Sequence, residues 1–113
     1  MDVSQLIKDS KARFNHTSQK ILLKEKYNAK LVFADQGGLW KATPEFLSFL
    51  SSIIPNKTVI CDLYDNPIEV DKESLSEKAF SVYNTVMYDW LHETKLLENN
   101  RWEVFYFLHS IMV

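Results

Sequence analysis

The sequence predicts an α+β fold: a small antiparallel β-meander packed by a short helix and one long C-terminal helix. Three observations carry this. Short apolar runs alternate with turn residues between residues 30 and 70. Thr43-Pro44-Glu45 is a well-formed helix start, with a capping threonine, a proline at the first helical position and a glutamate at the positive end of the helix dipole. The stripe Leu75, Ala79, Val82, Val86, Trp90 and Leu97 then advances mostly by three or four residues. The turns between the predicted strands are too short for parallel crossovers.

Taken in order, residues 4–14 read as a helix capped by Asp2 or Ser4, with Leu6, Ile7 and Phe14 apolar. Asn15-His16-Thr17-Ser18 reads as a break, and a second helix follows through Lys20–Ala29, where a strand is the alternative. Strands are expected at 30–34, 39–42, 57–63 and 68–70. Gly37-Gly38 supplies the positive φ angles of a tight hairpin between the first two. The helix at 44–54 ends at Pro55, and Tyr64-Asp65-Asn66-Pro67 is a turn by composition. Asp71 caps a helix over 72–98, with Phe80, Tyr83, Met87 and Leu91 widening its stripe. The organisation is thus a helical arm (1–29), a core (30–101) and an apolar tail (102–113).

At 113 residues the chain has room for one ordinary domain. Hydrophobic residues at 46% and charged residues at 25% exclude a disordered or low-complexity chain. A formal net charge of −2 argues against a strongly basic nucleic-acid binder. The charge is uneven. Residues 1–30 hold seven Lys/Arg against three Asp/Glu, and residues 31–100 hold five against eleven. Such an arm pairs with its own body or a neighbouring copy, or it meets an acidic partner through Lys20, Lys24 and Lys26. The N-terminus lacks a secretory pattern, and no run reaches the roughly 20 apolar residues of a membrane span. With one cysteine, the expected compartment is a reducing cytoplasm.

Chemistry is mostly absent. His16, His92 and His109 show no metal spacing and read as surface or interface residues. Cys61, inside an apolar strand, reads as a small core residue rather than a nucleophile. Asp62, Asp65, Glu69 and Asp71 are the densest carboxylate group, yet they lack the alternating ligands, glycine and terminal glutamate of a calcium loop. Asp65 is more simply a turn residue and Asp71 a cap. Gly37-Gly38 matches no phosphate-binding loop. Trp40 and Lys41 are weak candidates for stacking on a base, and hairpin packing is preferred. No catalytic, cofactor-binding or metal-ligating residue is assigned, and no cofactor is expected.

The late aromatic cluster carries more weight. Residues 83–90 serve the core first, whereas the apolar tail 102–113 is a poor surface to leave in water. Aromatics concentrate at interface centres, so Tyr88, Trp90, Trp102, Phe105 and Phe107 are the candidate interface residues. A helix of about 40 Å outreaches so small a domain and points the same way.

Gly37-Gly38-Leu39-Trp40-Lys41-Ala42-Thr43-Pro44-Glu45-Phe46-Leu47 and Asp62-Leu63-Tyr64-Asp65-Asn66-Pro67-Ile68-Glu69-Val70-Asp71, followed by a long helix through Trp90, form a recognisable series. It resembles a group of small proteins without an assigned activity, encoded by contractile-tailed phages, notably those infecting marine cyanobacteria. The resemblance covers about residues 30–100, and its motifs are turns and caps. It implies a phage accessory or virion-associated protein in the cytoplasm of an infected bacterium or in the virion. It transfers no catalytic residue.

The expectation is a non-enzymatic, self-associating structural or assembly protein whose partners are itself and other phage proteins, with neither nucleic acid nor membrane. The alternative is a small regulator that grips a host protein through the basic arm. An enzyme holding a divalent ion in the acidic turn is the remote third reading.

Overall fold

The computed structural model describes the backbone of residues 3–112 and the side chains of residues 3–99. Its elements run α1 (Val3–Lys30), β1 (Val32–Asp35), β2 (Gly38–Lys41), α2 (Pro44–Ser52), β3 (Lys57–Cys61), β4 (Pro67–Asp71) and α3 (Lys72–Met112). The arrangement is α+β, as the sequence predicts. The chain divides into two compact units, one formed by residues 27–88 and the other by residues 1–26 with 89–113.

In the 27–88 unit, β1 and β2 pair antiparallel in the register Val32↔Lys41, Phe33↔Trp40, Ala34↔Leu39 and Asp35↔Gly38. The two turn residues are Gln36 (φ 50°) and Gly37 (φ 81°). Two successive positive φ values define the tight turn whose twist suits a two-residue hairpin. Only the first glycine therefore serves the turn. Gly38 is needed for space: a Cβ there would sit 2.7 Å from Ile68 Cδ1 and 2.8 Å from Trp40 Cζ2. Trp40 is 2% exposed. Its ring stacks on Phe46 with centroids 5.9 Å apart, and its Nε1–H donates to the Asp35 carbonyl at 2.8 Å. Burial of a large apolar side chain contributes roughly 1.5–3 kcal/mol, so this residue anchors the unit.

β3 and β4 form a second hairpin, pairing Thr58↔Val70 and Ile60↔Ile68. The two hairpins are separate two-stranded sheets, which corrects the expected meander. The reason is local. One backbone bond, Leu63 N–H to the Leu39 carbonyl at 2.9 Å, joins them just where the chain leaves β3 at Asp62, so no ladder can continue. Alternation along β3 turns Ile60 inward and Cys61 outward. Cys61 is exposed, correcting its assignment to the core.

Both helix starts in this unit follow the sequence reading. Thr43 Oγ1 accepts from Phe46 N–H at 3.1 Å, with Pro44 opening α2. Asp71 Oδ1 accepts from Glu73 N–H at 3.1 Å and from Ser74 N–H at 3.4 Å, opening α3. α2 stops at Ser52, two residues short of the expected 54, because Ile53 is already extended ahead of Pro55. Leu75, Ala79 and Val86 of α3 are buried together with Leu50, Phe33 and Tyr27.

The second unit contains the N-terminal part of α1 and the C-terminal part of α3. α1 is one 28-residue helix, so the expected break at 15–18 does not occur. No Gly or Pro lies between Val3 and Lys30. Asn, His, Thr and Ser each cost at most about 0.7 kcal/mol relative to Ala in a helix, which packing of half-buried His16 and Ser18 offsets. α3 runs 41 residues, about 60 Å at 1.5 Å per residue, and passes the expected end at 98. Residues 102–112 therefore continue a helix and do not form a separate tail. Asn99-Asn100 lowers propensity without breaking the helix.

Candidate functional site

The carboxylate cluster is the obvious place to look for chemistry, and Asp62, Asp65 and Asp71 each have a structural role. Asp62 is buried, and its carboxylate accepts three backbone N–H groups: Tyr64 at 2.9 Å, Asn66 at 3.0 Å and Leu39 at 3.3 Å. These donors stabilise the ionised form. Backbone bonding from Asn66 leads, and the Asp62 carboxyl titrates below its ordinary 3.8 even though burial opposes this. Asp65 takes a left-handed turn conformation at φ 60°. Asp71 caps α3, and its backbone is held from both sides. Gln36 Oε1 accepts its N–H at 2.7 Å, and Gln36 Nε2–H donates to its carbonyl at 3.2 Å. Glu69 lies on the outward face of β4 opposite Val59. Among the described residues, no three of the His, Cys, Asp and Glu side chains gather as a metal site.

Trp40 is too deeply buried to stack on a base, and Lys41 is half-buried beside it. In the other unit, α1 and α3 run antiparallel, since residues 16, 20 and 26 meet 98, 98 and 93. Lys26 Nζ lies 2.7 Å from Glu93 Oε1, and Lys20 Nζ lies 3.9 Å from Glu98 Oε1. His16 Nε2 stands 3.3 Å from Glu98 Oε1, without hydrogen-bond alignment. The basic arm thus pairs with its own chain at two of its three singled-out lysines, while Lys24 remains exposed. His92 is exposed, and His109 lies outside the described side chains.

Of the candidate interface residues, Tyr88 is 70% exposed. Trp90 is half-buried and, with Thr94, lines a shallow cleft against Lys20, Leu23 and Lys24 of α1. It therefore faces α1 of its own chain. The side chains of Trp102, Phe105 and Phe107 lie outside the described residues. Sequence reasoning passed over the exposure of α1. Val3, Leu6, Ile7, Phe14, Ile21 and Leu22 all stand open to solvent. The signal that could have found it is spacing, because Ile7, Phe14 and Ile21 are seven residues apart.

Among the described residues, no helix is long and apolar enough to cross a membrane. No protein family, curated protein or solved structure matches the chain.

Proposed function

We propose that this chain is a non-enzymatic structural or assembly protein that acts through protein–protein contacts, first with copies of itself. One observation carries the reading: the described residues expose more large apolar side chains than they bury. Scattered exposed apolar residues are ordinary, but α1 alone exposes Val3, Leu6, Ile7, Phe14, Ile21 and Leu22, and a helix that leaves so many in water supports an interaction surface. Asp62, Asp65, Asp71 and Trp40, which would otherwise offer chemistry, are engaged in a turn, a cap and the core. Its assignment to contractile-tailed phages, as an accessory or virion component, rests on the sequence resemblance alone. The regulator reading loses support because Lys20 and Lys26 approach Glu98 and Glu93.

The native mass of the full chain tests this, measured by light scattering on a sizing column at low and high salt. A salt-insensitive multiple of 13.3 kDa is expected. A monomer at both ionic strengths over a wide concentration range would overturn it.

A further inference from the structure

We draw no further inference here: the strongest candidate, the exposed apolar side chains along α1 (Val3, Leu6, Ile7, Phe14, Ile21 and Leu22), stands as an unpartnered surface, and nothing in the structure shows what covers it.

Discussion

Replacing Gly38 by alanine should destabilise the 27–88 unit more than the same change at its neighbour Gly37. The two glycines differ in kind. Gly37 has φ 81° and nothing within 4 Å of its absent Cβ, so Gly37→Ala carries only backbone strain, about 1–2 kcal/mol. At Gly38 the added methyl meets Ile68 Cδ1 at 2.7 Å and Trp40 Cζ2 at 2.8 Å. Ile68 Cδ1 is the tip of a flexible side chain and can turn away. The indole cannot, because its Nε1–H bond to the Asp35 carbonyl and its stack on Phe46 fix it. Displacing it loses a hydrogen bond of about 1 kcal/mol and disturbs packing around a buried ring. Overpacking of this kind typically costs about 1–3 kcal/mol, so the sum for Gly38→Ala is about 2–4 kcal/mol. Urea unfolding at fixed protein concentration, followed by tryptophan fluorescence, measures both variants. Ile68→Val should rescue Gly38→Ala only in part, since Trp40 remains. A Gly38→Ala variant as stable as wild type, or more stable than Gly37→Ala, would refute the steric argument.

Three further outcomes are expected. Asp62→Asn should be less stable than wild type at neutral pH, and the gap should close on acidification. The Asp62 carboxylate titrates below its ordinary value in the folded chain, so its contribution is present above pH 3.8 and lost as pH falls through the lower folded value; a gap unchanged between pH 7 and pH 3 in thermal melts would count against it. Thr43→Ala should cost about 1 kcal/mol through loss of the bond from Phe46 N–H, whereas Thr43→Ser should cost little, as read by chemical denaturation. Cys61 should react with a thiol reagent in the native chain at a rate near that of the unfolded chain, because the strand turns it outward; strong protection would mean that β3 is shifted by one residue or its outer face is covered.

The local features of this fold were legible in the residues. Thr43 and Asp71 cap α2 and α3 as their chemistry dictates, and Leu75, Ala79 and Val86 of the expected stripe are buried, with Val82 half-buried between them. These signals act within a few residues, so a sequence expresses them directly. α3 passes the expected end at 98 because no proline or glycine enforces a stop there, and Asn99-Asn100 only lowers propensity. The same holds for the break expected at 15–18 in α1. Cys61 was misplaced because an apolar run does not say which of two alternating faces is covered.

The sequence by itself determined the α+β class, both helix caps, the first hairpin and the absence of a recognisable catalytic motif. Only the tertiary structure decided that Gly38 is a matter of space, that the two hairpins do not join and that Asp62 gathers the N–H groups of Leu39, Tyr64 and Asn66. It also decided which side of α1 is covered. An amphipathic helix announces an apolar face, but whether its own chain or another molecule covers that face depends on elements far away in sequence. In this chain the lysines of α1 meet the acids of α3, and Ile7, Phe14 and Ile21 are left facing water.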